Sequence, residues 1–143
     1  MVSIRSLRVY LDSNTVIYAL EGVAEYANLK NGLLVPLDLQ TLVAVTSKLA
    51  MLEALVFPSR HGDLSAEARF RAFFTPAANK FIESIDEPVI EKAIELRAKN
   101  IGLKTPDAIH IATGLIAGCD AFVTADRDWS KTGIRVIDPA DIG

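Results

Sequence analysis

The sequence is short of the residues that build disulfides, zinc sites and basic nucleic-acid grips. Cys119 is the only cysteine in 143 residues, so an intramolecular disulfide is impossible and a cytoplasmic setting is the natural reading. Beside Gly118 and with no base at hand, Cys119 reads as a small buried hydrophobe, not a nucleophile. Only two histidines occur, His61 and His110. Neither has a second histidine or cysteine at ligand spacing, which argues against structural zinc. Basic residues are outnumbered 15 to 18 by acidic ones, for a formal charge of -3. That balance excludes the cationic surface from which tight, non-specific duplex binders draw their affinity. No window is apolar for long enough to cross a bilayer, and Asp12 interrupts the apolar run near the N-terminus. Neither a membrane span nor a secretion signal is expected. No repeat and no Gly/Ser/Pro-rich linker divides the chain, so one domain over residues 1–143 is expected.

What is present is apolar sequence in short, punctuated runs. Half of the residues (50%) are hydrophobic, enough for a core that offsets the entropy of ordering the chain. Leu7–Leu11 reads as a buried strand, and Val16, Ile17, Ala19 and Leu20 as a helix turning back over it. Ala24–Asp38 reads as a second helix, weakened at Gly32 and Pro36. Leu42–Thr46 is the next strand, and Ser47 is placed to cap a helix over Lys48–Val56 that Pro58 ends. Ser65–Phe74 reads as a helix and Lys80–Ile85 as a strand. Val89–Asn100 follows as a helix, with a broad apolar stripe from Val89, Ile90, Ala93, Ile94, Leu96 and Ile101. Thr105 is placed to cap a helix that Pro106 starts and that runs to Ala117. Short strands at Ala121–Thr124 and Arg135–Ile137 complete the chain. Helices intervening between apolar strands predict an α/β domain with a mostly parallel sheet covered on both faces.

Four acids stand out by position. Asp12 directly follows the first strand, where sites form in open α/β sheets. Glu53 lies on its helix next to Leu49, Leu52 and Val56, in what reads as the apolar stripe, where a carboxylate needs a cation or hydrogen bonds. Asp107 sits in the first turn of a helix, where an acid also complements the helix dipole. Asp126 follows the Ala121–Thr124 strand by two residues, with Asp128 competing for the same role; a surface turn is the plain alternative for both. Oxygen ligands of this kind suit Mg²⁺ or Mn²⁺. His110, three residues after Asp107, can line the same face.

The motifs carrying these acids resemble those of the PIN-domain ribonucleases, and within them the VapC-type toxins of toxin–antitoxin pairs. They are Leu11-Asp12-Ser13-Asn14-Thr15-Val16-Ile17-Tyr18, Thr46-Ser47-Lys48-Leu49-Ala50-Met51-Leu52-Glu53-Ala54-Leu55, Leu103-Lys104-Thr105-Pro106-Asp107-Ala108-Ile109-His110-Ile111-Ala112-Thr113 and Phe122-Val123-Thr124-Ala125-Asp126-Arg127-Asp128. The Pro-Asp-Ala start followed by Ile-Ala-Thr is the most specific piece, and no acidic position of the signature is missing. The resemblance implies a three-layer α/β/α sandwich with a central, mostly parallel sheet of about five strands. It also implies a Mg²⁺- or Mn²⁺-dependent endoribonuclease, a homodimer, an RNA substrate and a cognate antitoxin protein. Asp12, Glu53, Asp107 and Asp126 are then the catalytic and metal-binding residues. Asn14, Thr124, Asp128 and His110 stand behind them, able to hold a carboxylate or a water. Lys48, Arg60, Lys104, Arg127 and Lys131 are candidates for phosphate contacts, solvated ion pairing being the commoner role of any one.

Other classes compete. Asp12-Ser13-Asn14-Thr15 after a strand is also superficially similar to the nucleophile loop of an aspartyl-phosphate enzyme, a reading that leaves Glu53 unexplained. A non-catalytic RNA- or protein-binding module would use the acids as helix caps or for a structural ion. A structured-DNA substrate would keep the chemistry and change the target.

Overall fold

A computed structural model describes residues 1–143. Strand β1 (Arg8–Leu11) leads into helix α1 (Ser13–Glu21). A 3-10 turn (Ala24–Tyr26) and a π-helical turn (Lys30–Leu34) lead to the short helix α2 (Val35–Asp38). There follow β2 (Val43–Ser47), α3 (Lys48–Arg60), α4 (Leu64–Phe73), β3 (Lys80–Glu83), α5 (Glu87–Lys99) and α6 (Thr105–Ile116). Strand β4 (Ala121–Val123), a 3-10 turn (Arg127–Thr132), β5 (Val136–Ile137) and a last 3-10 turn (Pro139–Asp141) close the chain.

All five strands are parallel, in the order β3-β2-β1-β4-β5. Tyr10 pairs with Val45 on one side and Phe122 on the other, and Leu11 pairs with Val123. The inner strands β1, β2 and β4 are mostly apolar because both sheet faces are covered, whereas the edge strand β3 begins at Lys80 and ends at Glu83. Side chains alternate between two cores. Val9, Leu11, Ala44, Ala121 and Val123 pack with α1, α3, α4 and the π turn, while Tyr10, Val45 and Phe122 pack with α5 and α6. The expected α/β/α sandwich with a five-stranded sheet is therefore the observed fold.

Several local expectations need correction. The second helix is not continuous over Ala24–Asp38. At Gly32, inside the π turn, a Cβ would come within 2.5 Å of Ile142 Cγ2, so the missing side chain admits the C-terminal segment. Asn28 secures that segment by donating from Nδ2 to the carbonyls of Pro139 (2.8 Å) and Ile142 (2.7 Å). Pro58 does not end α3, which continues to Arg60. Its ring forgoes the amide bond to the Ala54 carbonyl, and its burial offsets part of that loss. Thr105 is the first residue of α6 and not its cap; its hydroxyl accepts from Arg97 Nη1 at 2.9 Å.

Two apolar stripes also divide. On α5, Val89, Ala93 and Leu96 are buried, whereas Ile90, Ile94 and Ile101 are exposed. On α3 the packed face is the small-residue set Ala50, Ala54 and Leu55 with Pro58, and Leu52, Val56 and Phe57 face solvent. Glu53 therefore does not sit in a buried stripe, since the close approach of α3 to the sheet is made through alanines on another side of the helix.

Candidate active site

The strand order reverses at β1: the chain steps from β1 outward to β2 and β3, then returns to β4 on the other side and continues to β5. A crevice at such a switch point, beyond the carboxyl ends of the strands, is where α/β sheets place ligands. Asp12 and Thr124 follow the paired residues Leu11 and Val123 and so emerge side by side across it.

Asp12 is 8% exposed and held at both oxygens. As the cap of α1 it accepts at Oδ1 from the Thr15 backbone N–H (2.8 Å), and at Oδ2 from the Thr124 hydroxyl (2.6 Å). Thr124 is itself fully buried, and its oxygen accepts from the Asp126 backbone N–H at 3.1 Å. One hydroxyl thus ties the first acid to the turn carrying the fourth. Asp126 caps the 3-10 turn after β4, accepting at Oδ1 from the Asp128 backbone N–H at 3.0 Å, and both of these acids are exposed.

Asp107 is half-buried in the first turn of α6. Burial raises its pKa, and the like charge of Asp126 raises it further; the Trp129 indole, His110 and Lys104 oppose the shift more weakly. The buried Trp129 N–H faces this carboxyl but falls short of a formed hydrogen bond. Asp107, Asp126, Asp128 and Trp129 line a cavity of about 280 Å³ with Lys104 and Lys131. A larger cavity of about 530 Å³, beside Phe73 and Lys80, contains none of the four acids.

Glu53 projects from α3 toward α6. Its Oε1 accepts from His110 Nε2 at 2.6 Å, and its side chain is 33% exposed. The hydrogen bond from His110 holds its pKa below the ordinary value against the opposing effect of burial, with the His110 charge and the Ser13 hydroxyl adding smaller pulls in the same direction. His110 is buried, stacked on Trp129 at 5.7 Å and edge-on to Tyr10 at 5.7 Å. Its Nδ1 lies 2.6 Å from the Tyr10 hydroxyl, which in turn shares a 2.9 Å hydrogen bond with Ser47. Burial, against the opposing pull of the Ser47 hydrogen bond and with smaller contributions from the charges of Asp12 and Glu53, pushes the Tyr10 phenol far above its ordinary range, so it stays protonated.

The expected acids thus come to one end of the sheet in two linked groups, Asp12–Thr124–Asp126 with Asp107 across the cavity, and Glu53 with His110. No three of the carboxylates and imidazoles are assembled at metal-ligand spacing. The donor set nonetheless suits a hard divalent cation. It consists of carboxylate oxygens, and the mutual repulsion of Asp107 and Asp126 is unrelieved by any ion pair to Asp107. Among the remaining candidates, Lys104 and Lys131 reach the cavity, and Lys131 pairs with Asp128 at 3.1 Å. Arg127 lines a neighbouring cleft with Thr124 and Ser130. Lys48 is exposed at the start of α3, and Arg60 lies seven residues beyond Glu53, roughly 10 Å along the axis. Asn14 is exposed on α1. Cys119 has its thiol pushed up to about 12 by burial, in keeping with an inert role.

Tyr10, Ser47 and Trp129 were not among the residues expected at the site. Tyr10 carries a hydroxyl in the otherwise apolar run Val9–Leu11, two residues before Asp12, and that is the signal that marks it. Ser47 is recognisable only as a helix cap, and nothing local marks Trp129.

Among solved structures the chain is similar to a toxin–antitoxin complex from Klebsiella pneumoniae, with 22% identity, a TM-score of 0.69 and coverage of 92% of this chain and 97% of the other. It is similar to VapC20 of Mycobacterium tuberculosis, described as a sarcin–ricin loop cleaving toxin, with 18% identity, a TM-score of 0.68 and coverage of 88% and 95%. VapBC2 from Rickettsia felis, bound to a DNA fragment from its promoter, matches with 14% identity, a TM-score of 0.69 and coverage of 92% and 98%. No curated protein sequence matches. The likeness to these structures is one of fold, whereas the family model of the PIN domain matches the sequence itself over residues 9–134. With that match running from β1 through β4 and taking in all four acids, the chain belongs to the PIN domain family.

Proposed function

We propose that the protein is a Mg²⁺- or Mn²⁺-dependent endoribonuclease and the toxin of a toxin–antitoxin pair. The observation that carries this reading is the cavity shared by Asp107 and Asp126, where burial and then the like charge of Asp126 raise the Asp107 pKa against weaker opposition from Trp129, His110 and Lys104. Such an arrangement costs folding energy unless a cation enters it. When bound, a divalent cation neutralises charge on a phosphate and acidifies water. Asp107 and Asp126, which line one cavity, would hold the cation, and Asp12 would add a carboxylate oriented by Thr15 and Thr124. Glu53, kept ionised by His110, accepts a proton from the water that attacks phosphorus in line. Lys104 and Lys131 at the rim are placed to meet phosphate oxygens.

The toxin assignment draws support from the neighbours in fold, one described as cleaving the sarcin–ricin loop and another as a toxin–antitoxin complex. A cognate antitoxin and a second copy of the chain are the proposed partners, and the exposed apolar residues Leu52, Val56 and Phe57 on α3 and Ile90 and Ile94 on α5 are surfaces such partners would cover. No helix is long and apolar enough to cross a membrane, and the cytoplasm is the proposed compartment. The aspartyl-phosphate alternative is less well supported, because it gives no role to Glu53 and its bond to His110. Cleavage of single-stranded RNA should require Mg²⁺, stop with EDTA and be lost in Asp12→Asn. Equal cleavage under all three conditions ends the assignment.

A further inference from the structure

A closed loop of hydrogen bonds runs behind the four acids and returns to one of them. It begins at Ser47, whose Oγ accepts from the Ala50 backbone N–H at 3.0 Å and so fixes the start of α3. The same hydroxyl bonds Tyr10 on β1 at 2.9 Å, Tyr10 meets His110 Nδ1 on α6 at 2.6 Å, and His110 Nε2 reaches Glu53 on α3 at 2.6 Å. The path leaves α3 at its cap and comes back to it six residues later. It therefore fixes both the backbone that carries Glu53 and the direction of its carboxylate.

The proton on the imidazole follows from the contacts. A carboxylate oxygen has no proton to give at neutral pH, so a 2.6 Å contact is attractive only if Nε2 carries the hydrogen and donates it. That holds whichever way the Tyr10–Ser47 bond points. The ring cannot swing away, because Trp129 stacks on one face with planes 27° apart and Tyr10 meets its edge. Glu53 has no comparable restraint of its own. It projects from a helix whose neighbouring residues Leu52 and Val56 are exposed, and the Ser13 hydroxyl, the other donor near it, falls short of a formed hydrogen bond. Any buried imidazole needs an acceptor for its N–H; here that acceptor is a carboxylate that still reaches solvent, which ties the ring to the site.

We propose that His110 is a positioning residue, whose Nε2–H, on a ring fixed by Tyr10 and Trp129, holds Glu53 in the orientation that accepts the proton from attacking water. The proposal rests on the nuclease reading above. It places no substrate contact on His110 itself, and it makes the aromatic bed of Tyr10, His110 and Trp129 part of the catalytic geometry.

The test compares His110→Phe, which keeps the ring volume without the donor, with His110→Gln, whose amide nitrogen extends about as far from the backbone as Nε2. Glu53→Gln serves as reference, and all are assayed on single-stranded RNA with saturating Mg²⁺. His110→Phe should lower kcat roughly 10- to 100-fold, the range for a lost supporting contact, with KM for RNA unchanged, and His110→Gln should recover most of it. Long-range ¹H–¹⁵N spectra of the wild-type imidazole, recorded without metal, should show Nε2 protonated, with signals that move in Glu53→Gln. If Glu53→Gln is inactive while His110→Phe keeps wild-type kcat, the positioning role is overturned and the nuclease reading survives. Equal loss in His110→Phe and His110→Gln also overturns it, since a donor then makes no difference. An inactive wild-type protein overturns the nuclease reading instead. The spectra then still decide the geometry, and a ring protonated at Nδ1 alone overturns it.

Discussion

The two halves of the site handle negative charge in opposite ways. On one side, Asp12 and Glu53 are each answered by the protein: Asp12 by a backbone amide and the Thr124 hydroxyl, Glu53 by the His110 imidazole. On the other, Asp107 and Asp126 face a cavity with like charge between them, and the pKa of Asp107 is raised by burial and by that neighbour. The first half is organised before anything binds. On the proposed reading the second would leave charge for a bound cation to neutralise, though no three acids or imidazoles stand at metal-ligand spacing. Fixed groups and an uncompensated pair are the complementary requirements of a preorganised, metal-assisted site.

The sharpest way to break this comparison is Asp107→Asn. Loss of a group that stabilises transition-state charge by several kcal/mol should reduce cleavage by about 100-fold or more. Its effect on folding should run the other way. Because the folded pKa of Asp107 lies above its ordinary value, its favourable contribution exists at low pH, below the unfolded pKa, and is lost as pH rises through the folded pKa. At neutral pH the metal-free protein carries the penalty, so Asp107→Asn should raise Tm in EDTA. A clear fall in Tm would show that the ionised group is answered after all.

Mg²⁺ or Mn²⁺ at about 100 times its Kd should stabilise the wild type by about 2.7 kcal/mol, read as a rise in Tm of several degrees that Asp107→Asn abolishes. No shift with either ion up to millimolar concentrations would remove the cation from the site. Thr124→Val tests the organised half. It leaves Asp12 Oδ2 without its donor and should cost about 1.5–3 kcal/mol, the range for a hydrogen bond to a charged group, measured by urea unfolding.

Glu53 supplies the opposite pH sign. Its folded pKa lies below the ordinary 4.5, so its contribution is present above that value and lost as pH falls through the folded pKa. The stability difference between wild type and Glu53→Gln should therefore close below about pH 4.5, whereas the Asp107→Asn difference should close there because Asp107 is then protonated and uncharged. What separates the two is the sign at neutral pH. The smallest effect belongs to Lys131→Ala. Its exposed pair with Asp128 is worth under about 1 kcal/mol, and the change to look for is a modest rise in KM for RNA.

The acids were legible because their local contexts are strong: a strand end for Asp12 and Asp126, a Pro-started helix turn for Asp107. Glu53 was found for a reason the structure does not uphold. The residues taken as its buried stripe, Leu52 and Val56, are exposed, and what makes the position special is His110, 57 residues away. The same limit hid the breaks in the Ala24–Asp38 region. Gly32 looked like a weakened helix, but its role is to admit Ile142, a contact no local window contains.

Apolar strands alternating with helices, and the acids placed at their ends, were settled by the sequence alone, since pattern and punctuation act over a few residues. Tertiary structure decided which apolar faces are covered, which acids are answered and which are left facing one another. Those outcomes depend on side chains brought together from distant segments. The bond from His110 to Glu53 exists only because α3 and α6 pack beside the same strand, Tyr10 between them.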